Sequence, residues 1–160
     1  MLLTDLVHLV GPNQNAVEIS PLEITGIQFD SRQVQPGNVF VALEGGNADG
    51  HAYIQPAIQK GAIAVIGTQD LQITGVPYFR VKDTRESLAY VAAAFYGNPA
   101  RQLTVIGVTG TDGKTTTVNL IYNILLAAGI KAGMISTVNA VIGDEQIDTG
   151  FHVTTPEAPA

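Results

Sequence analysis

The sequence predicts an α/β fold, with a small α/β domain at the N-terminal side followed by the first part of a second domain that opens on a glycine-rich loop. Three observations carry this. Short apolar or alternating runs (Ile24 to Asp30, Asn38 to Leu43, Ala62 to Gly67, Val76 to Val81) alternate with segments of helical spacing, which is the pattern of a largely parallel sheet. The run AIAVIG at Ala62 to Gly67 is unbroken and apolar, as a strand buried on both faces requires. From Leu103 the order strand, tight glycine turn, helix repeats the opening of a nucleotide-binding α/β unit.

The elements follow in order. MLLTDLVHLV is apolar but carries Asp5 and His8 and has no basic flank, so it reads as a short amphipathic helix rather than a signal peptide. Tyr53 to Lys60 has helical spacing and stops at Gly61, a suitable C-cap. Asp83 or Thr84 can N-cap a helix through Tyr96, with Leu88, Val91, Ala92 and Phe95 on its apolar face. The helical pattern ends at Gly97-Asn98-Pro99, which sets the expected domains at residues 1–98 and 99–160. In the second, Leu103 to Val108 reads as a buried strand, Lys114 to Ala128 as a helix stopped at Gly129, and Met134 to Thr137 as the next strand. Val138 to Thr149 is a hairpin with its turn at Gly143-Asp144, and the Pro156 and Pro159 tail is loop.

Composition narrows the function. With 46% hydrophobic and 14% charged residues in 160, the chain buries a real core. Its formal net charge of −6, with 8 Lys and Arg spread along the length, argues against a nucleic-acid partner. The absence of cysteine excludes a disulfide framework and a thiolate zinc site. No run approaches the roughly 20 apolar residues of a membrane span, so a cytoplasmic protein is expected.

The segment LTVIGVTGTDGKTTT carries the clearest chemistry. Gly110 and Gly113 let the backbone form a concave nest of N–H groups at the positive end of the following helix, which attracts phosphate oxygens. Thr111, Asp112 and Thr116 complete that loop, Lys114 adds a full charge for the β and γ phosphates, and Thr115 offers a hydroxyl to a magnesium ion accompanying ATP. The common phosphate-loop pattern asks for Gly where Val108 stands, so this is a variant form. The competing interpretation is a glycine turn that merely joins strand to helix.

The variant loop GVTGTDGKTTT, Gly107 to Thr117, resembles the ATP-binding loop of the Mur ligases, which build the peptide of bacterial peptidoglycan. Members often carry Asn where this chain has Asp112; the carboxylate is therefore expected to point away from the phosphates or to act through a water or metal. DSRQVQPGNVFVALEGGNADGH, Asp30 to His51, resembles the UDP-binding domain shared by the MurE and MurF branches, and MIST (Met134 to Thr137) with VTTPEA (Val153 to Ala158) resembles MurE. The resemblance implies ATP and Mg2+ as cofactors, with UDP-N-acetylmuramoyl-L-alanyl-D-glutamate and a diamino acid (meso-diaminopimelate or L-lysine) as substrates. An acyl phosphate forms and is attacked by the amine. It also implies Ser31 as a uridine-side contact, Gly46, Asn47 and Ala48 as the loop around the uracil, and Thr154 and Thr155 as contacts to the muramoyl-peptide or pyrophosphate region.

Other interpretations stay open at this level. Asp30-Ser31-Arg32 also fits a turn with an internal salt bridge, and Thr154-Thr155 a hydroxyl-capped turn before Pro156. His51 fits a helix-entry residue satisfied by backbone better than a ligand. His8 and His152 make no metal cluster. A MurF-type ligase and a non-catalytic UDP/ATP-binding module are the rival functions. The magnesium-binding Glu, a modified lysine and the C-terminal domain of the family lie beyond Ala160, so the chain alone is expected to be inactive and, with sheet edges and apolar surface open, to self-associate.

Overall fold

A computed structural model describes residues 1–15, 17–45 and 49–148. The chain divides into two compact units, one over residues 1–102 and the other beginning at Leu103.

The first unit is built on four strands, β1 (Gly26–Gln28), β2 (Asn38–Val41), β3 (Ala64–Gly67) and β4 (Tyr78–Arg80), which lie side by side in sequence order and are parallel throughout. Every residue of β2 and β3 is buried, as central strands covered on both faces must be. Side chains alternate between the faces. Val39, Val41, Ala64, Ile66 and Phe79 pack on one side with Leu3, Leu6, Leu88 and Val91, which belong to a short N-terminal helical segment, including α1 (Leu6–Val10), and to α3 (Thr84–Phe95). Phe40, Ala42, Val65 and Tyr78 pack on the other with Ile54 and Ala57 of α2 (Ile54–Gln59). The result is three layers, helix, sheet, helix. Each fully buried Val, Ile or Phe contributes about 1.5–3 kcal/mol, so the two clusters are the main source of stability.

Local chemistry explains the boundaries. Asp83 caps α3, its carboxylate accepting from the amides of Arg85 (2.8 Å) and Glu86 (3.1 Å), a contact worth about 1 kcal/mol. The strands are shorter than the apolar runs that encode them. Pro77, which cannot donate a ladder hydrogen bond, precedes Tyr78 directly and helps to fix where β4 starts.

The second unit departs from expectation at its first element. Leu103 to Val108 is not a strand: it pairs with no strand among the described residues, and Leu103, Val105 and Ile106 are 68%, 73% and 55% exposed. A buried parallel strand exists only between neighbours, and none of the strands described in this unit lies beside it. The glycine loop and α4 (Lys114–Ala127) follow, and then an antiparallel sheet of β5 (Met134–Ile135), β6 (Asn139–Ile142) and β7 (Glu145–Asp148). The hairpin turn falls at Gly143-Asp144, with Ile142 opposite Glu145, and only Gly143 takes a positive φ (60°). Strand β5 ends at Ile135, so Ser136 and Thr137 lie in the bend before β6 rather than in the strand.

Candidate functional site

The glycine loop has the local geometry its sequence calls for. Gly113 is left-handed (φ 77°) and caps α4, while Gly110 has φ 142°; both conformations are costly for any residue with a Cβ. The turn delivers the amides of Lys114, Thr115 and Thr116 to the helix start, where they have no carbonyl partner within α4. Thr111, Asp112, Gly113, Lys114, Thr115, Thr116 and Thr137 together line an open cavity of about 400 Å³. Of the loop residues singled out from the sequence, all but Gly110 line it.

Lys114 is held over the loop. Its Nζ donates to the carbonyl of Gly110 (2.5 Å) and to that of Thr111 (3.0 Å), folding the cation back over the loop. Thr115 is half-buried, and Asp112 is exposed and borders the cavity. Among the described residues no group of three His, Asp or Glu side chains could hold a metal by itself. The donor set fits magnesium in a different way: one hydroxyl, from Thr115, beside a place for phosphate oxygens, suits an ion that keeps several waters and shares phosphate ligands. Thr137 was not singled out by the sequence reasoning. It stands 23 residues beyond Lys114 on another element, outside any phosphate-loop motif, and only the fold brings it to the cavity.

In the first unit, the residues of interest lie past the carboxyl ends of the parallel strands, where open α/β sheets bind ligands. Ser31 sits in the turn after β1, half-buried, and makes no hydrogen bond among the described residues. Arg32 beside it is committed to Asp30, with Nε 3.0 Å from Oδ1 and Nη2 2.7 Å from Oδ2. This is the turn with an internal salt bridge. The hydrogen bonds from the Arg32 side chain and then its backbone amide hold the Asp30 carboxyl down to about 2. Lys60 caps the same turn, Nζ donating to the Arg32 carbonyl at 2.9 Å.

His51 is buried and fully engaged, as a helix-entry residue. Its Nε2 accepts from the amide of Thr68 (3.0 Å), so the ring proton sits on Nδ1 and donates to Asp49 Oδ1 at 2.6 Å. The Asp49 carboxylate also accepts from the His51 amide (2.9 Å) and from Gln69 Nε2 (2.8 Å), and these contacts, the His51 amide first, lower its pKa. Thr68 Oγ1 donates to Glu44. The chain on either side of 46–48 is thereby tied to the end of β3. Gly46, Asn47 and Ala48, and likewise Thr154 and Thr155, lie outside the described residues.

A parallel α/β domain followed by a glycine loop that opens a helix is the arrangement found in nucleotide-binding α/β proteins. Two family models identify which: residues 23–96 match "Mur ligase family, catalytic domain" and residues 108–159 match "Mur ligase middle domain". The chain belongs to the Mur ligase family. It is 44% identical over 160 residues to the UDP-N-acetylmuramoyl-L-alanyl-D-glutamate--2,6-diaminopimelate ligase of Bacteroides thetaiotaomicron, covering 98% of this chain and 32% of that protein. The chain thus spans about a third of the length of such a relative. A solved structure of a UDP-N-acetylmuramoyl-L-alanyl-D-glutamate--2,6-diaminopimelate ligase shares the fold, with a TM-score of 0.71 at 21% identity over 96% of this chain and 31% of that one. The MurF ligase of Thermotoga maritima, solved in complex with ADP, matches at 34% identity and a TM-score of 0.52 over 68% of this chain and 25% of that one. Among the described residues no helix is long and apolar enough to cross a membrane.

Proposed function

We propose that this chain carries the UDP-substrate-binding domain and the ATP loop of a MurE-type ligase acting in the cytoplasm. The full enzyme would add meso-diaminopimelate or L-lysine to UDP-N-acetylmuramoyl-L-alanyl-D-glutamate. The observation that carries the proposal is the conjunction of a 44%-identical relative that is a UDP-N-acetylmuramoyl-L-alanyl-D-glutamate--2,6-diaminopimelate ligase with a glycine loop whose residues Thr111 to Thr116 line one cavity.

The terminal carboxylate of the dipeptide attacks the γ phosphorus of ATP, giving an acyl phosphate and ADP. The amine of the incoming amino acid then attacks the acyl carbon, an amide forms, and phosphate leaves with a proton released. Gly110 to Thr116 bind and orient the phosphates through backbone amides, and the Lys114 ammonium moves from the Gly110 and Thr111 carbonyls to phosphate oxygens. Magnesium, when bound, neutralises charge on the phosphates and would be held by the Thr115 hydroxyl. Ser31, Gly46, Asn47 and Ala48 receive the uridine, and Thr154 and Thr155 the muramoyl-peptide or pyrophosphate region.

Isothermal titration tests this directly, with UDP-N-acetylmuramoyl-dipeptide and Mg-ATP as separate ligands. The expected outcome is that Lys114→Ala abolishes ATP binding alone and Ser31→Ala weakens the UDP ligand alone. ATP binding with no UDP-ligand binding would replace the proposal with a non-catalytic nucleotide module.

A further inference from the structure

The wall of the cavity that the loop does not supply contains a hydroxyl with no partner. Thr137 is half-buried, lines the cavity, and makes no hydrogen bond among the described residues. Its backbone is fixed rather than loose. The Ser136 hydroxyl accepts from the amides of Val138 (3.2 Å) and Asn139 (3.1 Å), and the Ser136 amide donates to the Asn139 carbonyl at 2.8 Å. Met134 and Ser136 on the same strand end are buried. A pinned turn that offers one unpaired donor to a cavity is how a protein positions a single oxygen of a ligand.

The loop and Thr137 divide the work by geometry. Residues 111–116 are consecutive lining residues, and the amides of Lys114, Thr115 and Thr116 at the helix start have no carbonyl partner within α4, which suits the inner phosphates of a nucleotide. The phosphoryl group that is transferred must project out of such a nest for an acceptor to reach it, towards the wall built by another element. Thr137 is the lining residue from that other element. We infer that the Thr137 hydroxyl donates to an oxygen of the terminal phosphate of bound ATP and so positions the phosphoryl group for transfer. This rests on the ATP-loop assignment proposed above.

The test is titration of the chain with Mg-ADP and with magnesium and the non-hydrolysable β,γ-imido analogue of ATP, for the wild type, Thr137→Val and Thr137→Ser. A hydrogen bond to a charged oxygen is worth about tenfold in affinity. Thr137→Val, which keeps the shape, is expected to lose that factor for the triphosphate analogue and to bind ADP as the wild type does; Thr137→Ser is expected to keep both affinities. Equal binding of the analogue by wild type and Thr137→Val, equal losses for both nucleotides, or a Ser variant as weak as the Val variant overturns the inference. Failure of the underlying assignment is separately visible: the wild type would then bind neither nucleotide, or Lys114→Ala would bind both unchanged, and the inference falls with it.

Discussion

Replacing His51 with Ala should destabilise the parallel-sheet unit by about 3–5 kcal/mol, as the structure lets one work out. The side chain is 3% exposed; Nδ1 lies 2.6 Å from Asp49 Oδ1 and Nε2 accepts from the Thr68 amide at 3.0 Å, with longer contacts to Thr68 Oγ1 (3.4 Å) and the Gln69 amide (3.5 Å). Losing the acceptor leaves the Thr68 N–H without its ring partner, a loss of about 1–3 kcal/mol, and the bond to the ionised Asp49 adds about 1 kcal/mol net, because Asp49 keeps its contacts to the His51 amide and Gln69. The cavity left by the ring contributes about 1 kcal/mol more. At about 4–8 °C per kcal/mol for a unit of this size, the midpoint should fall by more than 10 °C. His51→Gln, which can present an acceptor near the Nε2 position, should recover about half of the loss. Urea unfolding followed by far-UV circular dichroism, with hydrogen exchange of the Thr68 amide, measures both. A loss below about 1 kcal/mol for the Ala variant, or Gln and Ala variants that are indistinguishable, would refute the assignment of His51 as the structural tie between the ends of β2 and β3.

Gly67→Ala should cost about 1–3 kcal/mol in the same urea assay, since a Cβ there would stand 2.6 Å from the Tyr78 hydroxyl and 2.8 Å from His51 Nε2; a neutral substitution would show that the end of β3 yields. The depressed Asp30 carboxyl gives a stability contribution that is complete above its unfolded value of about 4 and is lost as pH falls through about 2. Asp30→Asn should therefore be slightly less stable than the wild type at neutral pH and converge with it as pH falls from about 4 to below about 2, and a gap undiminished at pH 2 would contradict the linkage. Self-association is expected through the apolar surface of the second unit, where Leu120 and Ile124 of α4 are 59% and 66% exposed. Sedimentation velocity should show a concentration-dependent dimer that Leu120→Glu with Ile124→Glu removes, and a strictly monomeric profile at high concentration would count against it.

The first unit was legible because its information is local. Apolar runs at Asn38 and Ala62 encode β2 and β3 and the Asp83 cap encodes the start of α3, each through interactions within a few residues, as Gly143-Asp144 does for the hairpin turn of the second unit. Leu103 to Val108 was misread for the opposite reason. Its composition is that of an interior strand, but whether such a segment becomes one depends on neighbours that its own sequence does not supply, and in this chain its side chains face solvent. Arg32 shows the same limit on a smaller scale: a guanidinium two residues from a carboxylate could serve a ligand or the turn, and here the 2.7 Å contact commits it to Asp30.

The candidate site divides along the same line. Gly110 to Thr116 could be found by spacing because one stretch of backbone makes the whole wall and the chemistry needs those residues consecutively. Thr137 could not, because a single hydroxyl on a bend has no signature until the chain returns it to the cavity. The two walls also differ energetically. Lys114 must exchange two carbonyl contacts for phosphate, so part of its electrostatic gain is offset and its net contribution to affinity is smaller than a bare charge would give. Thr137 gives up no protein partner among the described residues, so its one bond should appear almost undiminished in binding, although it is the weaker interaction in isolation. On the proposed assignment the consecutive loop supplies recognition of any phosphate chain, and discrimination between triphosphate and diphosphate falls to the residue that the motif leaves out.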